Sequence, residues 1–289
     1  MSAAPLVDSI HHAASGTWTH LVVDPESARA AIIDAVLDFD PASGRVDAAP
    51  AHALLEQVRE RALGVDWILE THAHADHFSA GAWLHDRLGA PLAIGTGIAE
   101  VRRGFAHLLD ASGDADAGGG FDRLFADGDT FRIGGLEARV IATPGHTPDS
   151  VAYLVGDALF VGDTLFAPDA GTARCDFPGG SAARLYDSIR RLYALPDATR
   201  VFLCHDYPAD GAAATAQTTI GDEKRANAHL RADTPRDAYV EVRQRRDASL
   251  PVPRLLWPAI QFNLRGGRLP PADASGHRWL KLPVRFDAG

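Results

Sequence analysis

The chain has 289 residues, 46% of them hydrophobic and 23% charged, which provides apolar material for one large domain, or a domain with an extension, and excludes a disordered or fibrous chain. With 38 acidic against 28 basic side chains the formal net charge is -10, and no basic stripe interrupts it, so no nucleic-acid partner is expected and an anionic substrate needs a local positive spot. Cys175 and Cys204 form no paired motif, and the N-terminus has neither a basic region nor a long apolar stretch, so the expectation is no disulfide, no secretion signal, no membrane span and a reducing cytoplasm.

In chain order, "TWTHLVVD" (17–24) predicts a strand that ends at the turn "DPES", and "RAAIIDAVLDFD" (29–40) a second strand running into a polar loop. Leu54, Leu55, Val58, Ala62 and Leu63 recur at helical spacing over 51–64, with Gly64 as the stop. "VDWIL" (65–69) predicts a strand. Residues 79–89 predict a helix with Ser79 as cap and Gly89 as stop, and 91–95 another strand. Beyond 97, Ile98, Val101, Phe105 and Leu108 define one helical face, and "ASGDADAGGG" (111–120) predicts a mobile loop. Gly134-Gly135 and Gly156-Asp157 mark two hairpins. A helix over 181–195 turns Leu185, Ile189 and Leu192 inward, and 200–208 is a strand ending in a loop with a histidine. "DEKRAN" (222–227) predicts a solvated helix face, from which Lys224 or Arg225 could reach an anionic substrate. The division expected is a catalytic domain over 1–250 and a Pro-rich C-terminal extension, 251–289, packed on the core. Together these elements suggest two sheets packed face to face, helices outside, and a loop-built site at one edge.

The chemistry concentrates in "ILETHAHADHFSAG" (68–81), where His72, His74, Asp76 and His77 form H-x-H-x-D-H at a strand-to-helix turn. Imidazole and carboxylate are the usual ligands of zinc and iron. Alternation at a strand end sends His72 and His74 to one side, and the turn brings Asp76 and His77 round from the other. Further donors follow other apolar runs: His146 in "TPGHTPDS", Asp163 in "FVGDTLF" and His205 in "FLCHDYP". Burying four such groups without a metal is costly, so a metal site is expected. His11, His12, His20, His52, His85, His107, His229 and His277 read as ordinary surface or core residues. Cys175 and Cys204 read as small packed residues.

"THAHADH", "TPGHTPDS", "VGDTLF" and "CHDY" resemble the metallo-β-lactamase superfamily over roughly residues 15–210. The resemblance implies an α/β fold, the αββα four-layer sandwich, with the metal at one edge of the two sheets. Within it, "GTARCDFPGG" (171–180) and "CHDYP" (204–208) are similar to the persulfide dioxygenases, also called sulfur dioxygenases, of bacterial type. Glyoxalase II, the hydrolase relative, shows R-x-F-E-G and H-E-Y instead. Carried over residue by residue, the resemblance implies one Fe(II) per chain on His72, His146 and Asp163. It makes His74, Asp76, His77 and His205 catalytic groups that orient ligands, hold water or accept protons, or a second metal site if the protein is a hydrolase. Arg174 and Tyr207 are the expected substrate contacts. The implied reaction oxidises glutathione persulfide with O2 to sulfite and glutathione, and the expected assembly is a homodimer. Two alternatives remain open at this point: a binuclear hydroxyacylglutathione hydrolase, and a persulfide-binding redox sensor with slow turnover.

Overall fold

Period-two alternation along the apolar runs sets the layering. Leu21 and Val23 join one apolar cluster while Val22 joins another, and Ala30 and Ile32 part from Ala31 and Ile33 in the same way. Strands that bury both faces need a layer on each side. The structure, a computed structural model, describes residues 4–108, 119–207 and 212–284; the loop expected at 111–120 lies, up to residue 118, outside the described residues.

The first half forms β1 (Leu6–His12), β2 (Thr17–Asp24), β3 (Arg29–Ile33), β4 (Val36–Asp40), β5 (Arg45–Asp47), α1 (Ala49–Glu60), β6 (Gly64–Leu69), β7 (Phe78–Ser79), α2 (Gly81–Leu88), β8 (Leu92–Gly95) and α3 (Ile98–Gly104). The second forms β9 (Arg123–Phe125), β10 (Thr130–Ile133), β11 (Leu136–Ala142), β12 (Val151–Val155), β13 (Ala158–Phe160), α4 (Ala182–Leu192), β14 (Arg200–Phe202), β15 (Gln217–Thr219), α5 (Ile220–Ala226), α6 (Arg236–Asp247) and α7 (Leu256–Asn263). One six-stranded sheet runs β1-β2-β3-β6-β8-β9 and a second runs β10-β11-β12-β13-β14-β15. Their facing sides share a core that includes Val22, Ile33, Leu69, Tyr153, Phe160 and Phe202. Residues of α1, α2, α3 and α7 cover the outside of the first sheet, and those of α4, α5 and α6 the outside of the second. This is the four-layer αββα sandwich that the sequence implied. Both hairpins form where the glycines mark them, with Ile133 paired to Leu136 and Val155 to Ala158.

Four local expectations are corrected. The run 29–40 is two strands: Asp34 takes a left-handed φ of 53°, and β4 leaves the main sheet to pair with β5 and β7. β1 has no counterpart in the reading above, because "LVDSIHH" is only half-buried and weakly apolar. Ser79 belongs to β7, and Ala80 is the cap position of α2; the Ser79 hydroxyl still accepts the Gly81 N–H at 2.9 Å. The "DEKRAN" helix is not a wholly solvated face, since Glu223 and Asn227 are fully buried.

Candidate metal centre

The site forms where β6, β11, β13 and β14 end. After β6 the chain leaves the sheet as the irregular loop 70–77, which carries His72, His74, Asp76 and His77. His146 sits between β11 and β12, Asp163 follows β13, and His205 follows β14. Glycine precedes two of these donors for a steric reason. Gly145 has φ 154° and packs so closely on α4 that a Cβ would lie 2.4 Å from Leu185 Cα. Gly162 has φ 53°, and a Cβ there would meet the Thr71 hydroxyl at 2.6 Å. Only glycine fits either place.

All seven donors predicted from the sequence converge, in two groups. His72, His146 and Asp163 each offer a ligand atom within 4.8 Å of the others, and so do His74, Asp76, His77 and His205. Asp163 lies between the groups: one carboxylate oxygen is 3.6 Å from His146 Nε2 and 3.9 Å from His72 Nε2, and the other is 3.4 Å from His205 Nε2. His205 Nε2 is also 3.5 Å from Asp76.

The surroundings fix which ring nitrogen faces inward. His146 Nδ1–H donates to the Arg174 carbonyl at 2.7 Å. His72 Nδ1 is 3.0 Å from the Thr71 hydroxyl, whose own proton goes to Asp34 at 2.8 Å. His74 is reversed: its Nε2–H donates to Asp34 at 3.0 Å and faces Glu70 at 3.3 Å. The nitrogens left over are His72 Nε2, His74 Nδ1, His77 Nε2 and His205 Nε2, all buried with no hydrogen-bond partner, together with one oxygen of Asp163. Orphaned buried lone pairs on imidazoles and a carboxylate, aimed at one another, fit a transition-metal ion.

The electrostatics agree with this donor set at His72, Asp76 and His77, whereas His74 is drawn toward its protonated form and would have to release that proton to bind a metal. Burial, reinforced by His74 and His146, drives the pKa of His72 well below the ordinary histidine value, so it stays neutral with a free lone pair. Burial and the neighbouring His74 lower His77 to about 4. Burial opposes charge on Asp76, but His205 and His77 outweigh it and hold that carboxyl well below its usual range. Burial also opposes charge on His74, yet the carboxylates of Asp34 and Glu70 raise its pKa well above the ordinary value. Burial pushes Cys175 up to about 12 and Cys204 well above the ordinary thiol value, which disfavours a reactive thiolate at either.

Above the donors opens a cleft of about 720 Å³, lined by His146, Asp163 and His205 at its inner end. Alanines, Phe166, Phe177 and Leu250 give it an apolar wall, and Phe177 stands edge-on to His146 with ring centroids 5.1 Å apart. Tyr207 is 69% exposed and stacks parallel to the His205 ring at 5.8 Å. Arg174 lines the cleft, but its guanidinium grips Asp176 through two bonds of 2.6 Å and donates a third to the Pro251 carbonyl at 2.8 Å. Arg246 lines it as well, and makes no ion pair among the described residues. Lys224 and Arg225 do not line it; they pair with Asp197 and Asp222. His229, read above as ordinary, does line it.

Sequence reasoning missed the carboxylates behind the donors. Asp34 accepts the Thr71 N–H at 2.8 Å besides its bond to His74, and Asp149 accepts the Ala73 N–H at 2.8 Å. The signal for Asp34 was a lone acid inside the apolar run "AAIIDAVL"; that for Asp149 was its place in "TPGHTPDS".

Residues 17–205 match the metallo-beta-lactamase superfamily. The chain belongs to that superfamily. A beta-lactamase hydrolase-like protein of Xylella fastidiosa is 45% identical over 97% of this chain, which spans 65% of that relative's length. Glyoxylase B2 of Dictyostelium discoideum is 40% identical, the match covering 94% of each chain. The crystal structure of ETHE1 from Myxococcus xanthus superposes with a TM-score of 0.73 at 31% identity, covering 91% of this superfamily member and 100% of that chain. Among the described residues no helix is long and apolar enough to cross a membrane.

Proposed function

We propose that this protein is an Fe(II)-dependent persulfide dioxygenase. Its reaction takes glutathione persulfide, O2 and water to glutathione and sulfite with release of two protons. The observation that carries the reading is the set His72, His146 and Asp163, two imidazoles and one carboxylate, of which His146 and Asp163 line the inner end of a largely apolar cleft. Such a set suits non-haem iron and leaves coordination positions open. Iron held there supplies the redox chemistry that O2 requires and that zinc lacks. The likeness to ETHE1 and the segments 171–180 and 204–208 support the same reading.

The chain's own residues then have separable tasks. The apolar wall excludes bulk water and receives the sulfur end of the substrate. His205, facing Asp163 and Asp76, is placed to take up a proton released as water is consumed. Arg174 is committed to Asp176 and shapes the wall through Phe177, over which its guanidinium lies at 5.3 Å. Arg246 is the better donor for a glutathione carboxylate, and Asp169, also on the cleft, faces outward for its ammonium group.

The test is O2 uptake and sulfite formation, in equal amounts, from glutathione persulfide by protein loaded anaerobically with iron. Hydrolysis of S-lactoylglutathione without O2 uptake would overturn the reading. That outcome defines the second reading, a two-metal hydroxyacylglutathione hydrolase, which the convergence of His74, Asp76, His77 and His205 favours. The sensor alternative would show itself as persulfide binding without stoichiometric sulfite.

A further inference from the structure

The loop 70–77 is buried but irregular, so its carbonyl groups cannot be paired within a helix or sheet, and each needs a donor from elsewhere. Two of those donors come from one side chain that lies outside the superfamily match. Asn263, the last residue of α7, donates its two amide hydrogens to the carbonyls of His74 and His77, both at 2.8 Å. Its carbonyl oxygen accepts the Ser79 N–H at 2.9 Å. Turning the amide over would set its oxygen against two carbonyls and its nitrogen against an N–H, so the network admits one orientation. The side chain is 4% exposed. The neighbouring Phe262 stacks on Phe78, centroids 4.3 Å apart, and Phe78 stacks on Phe39 at 4.1 Å. Helix α7 is thus docked where the loop rejoins the sheet, and the amide reaches from that dock to the loop.

We infer that Asn263 is a positioning residue of the metal centre, a latch that holds the backbone of His74–His77 so that His74 Nδ1 and His77 Nε2 face Asp76 and His205. Its partners are the backbones of two donors in the second group, whereas Asp34 and Asp149 brace the Thr71–Ala73 end of the loop. The inference rests on the centre holding a metal ion, not on the sulfur chemistry.

The experiment is Co(II) binding, followed by its visible absorption and by competition with a chelator, on wild type, Asn263→Leu and Gln261→Ala. Gln261 is the control because it is equally buried on the same helix, but it bonds the Lys281 N–H and carbonyl at 2.8 Å each, away from the loop. Both variants lower the melting temperature. Asn263→Leu alone weakens Co(II) binding, by about 10–100-fold, and alters the absorption spectrum. Wild-type affinity and spectrum in Asn263→Leu would overturn the inference, and so would equal weakening in both variants, which reduces the amide to helix docking. If Asn263→Leu is insoluble, Asn263→Asp decides in the same way, since it keeps the volume and the acceptor for Ser79 while losing both donors. Co(II) affinity reads the latch and O2 uptake reads the reaction, so each can fail without the other.

Discussion

Asp34 offers the sharpest perturbation, because Asp34→Asn changes charge while keeping shape. The native carboxylate accepts the Thr71 N–H at 2.8 Å, the Thr71 hydroxyl at 2.8 Å and the His74 Nε2–H at 3.0 Å. Asparagine tolerates the left-handed φ of 53° and keeps one oxygen for Thr71 N–H and His74, while the Thr71 hydroxyl can rotate to accept from the new amide. What is lost is charge assistance. A hydrogen bond to a charged group is worth about 1.5–3 kcal/mol and a neutral one about 0.5–1.5 kcal/mol, so Asp34→Asn loses about 1–2 kcal/mol of stability. His74 is then held less firmly, and metal affinity falls about 10–100-fold. Asp34→Ala removes the acceptors and adds about 1–2 kcal/mol of left-handed strain, so it falls further on both scales. Urea unfolding of the metal-free protein measures the first effect and chelator competition the second. Unchanged affinity and stability in Asp34→Asn would refute the claim that this buried carboxylate orients His74.

Asp163→Ala removes the carboxylate that lies between the two groups and abolishes tight iron binding; elemental analysis of protein from native expression should find one iron per chain, and two zinc ions would contradict the iron reading. Arg246→Ala raises KM for glutathione persulfide by roughly ten- to over a hundredfold with iron content unchanged, as loss of one charge-assisted contact demands, and Arg246→Lys recovers part of it. Arg174→Ala, whose charge is spent on Asp176, shifts KM less; steady-state kinetics giving the reverse order would return the recognition role to Arg174. Gly145→Ala collides with Leu185 and destabilises the fold by about 1–3 kcal/mol, displacing His146, which a melting curve and an iron assay together detect. Burial lowers His20 from 6.5 to about 4, so on acidification the unfolded chain takes up that proton first. Its contribution is complete above about pH 6.5 and is lost down to about pH 4, ~3 kcal/mol in all, and urea midpoints of His20→Gln should lack that acid-side slope.

The parts legible in the sequence are those governed by local periodicity and close spacing. Strand alternation, the two hairpin glycine pairs and the inward face of Leu185, Ile189 and Leu192 depend on neighbours in the chain, and the seven donors announce themselves because each follows an apolar run. What stayed hidden depends on long-range pairing. Nothing in "AAIIDAVL" says that Asp34 breaks one strand into two, because the break is stabilised by Thr71 and His74, about forty residues away. Arg174 read as a free guanidinium, since the local sequence does not show how closely Asp176 folds back on it. Asn263 left no signal at all: in "LWPAIQFN" it looks like an ordinary helix end.

The donors are divided between the two halves of the sandwich. His72, His74, Asp76 and His77 follow a strand of the first sheet, whereas His146, Asp163 and His205 follow strands of the second. Each of the two groups draws on both, so an ion held there is a rivet across the seam between the layers. Binding energy spent on that rivet counts toward folding, because the unfolded chain cannot assemble the same set. A chelator should therefore lower the melting temperature as well as the rate, and should loosen the seam first at the mouth of the cleft. With such an ion bound, metal supply would govern how long the fold survives in addition to how fast it works.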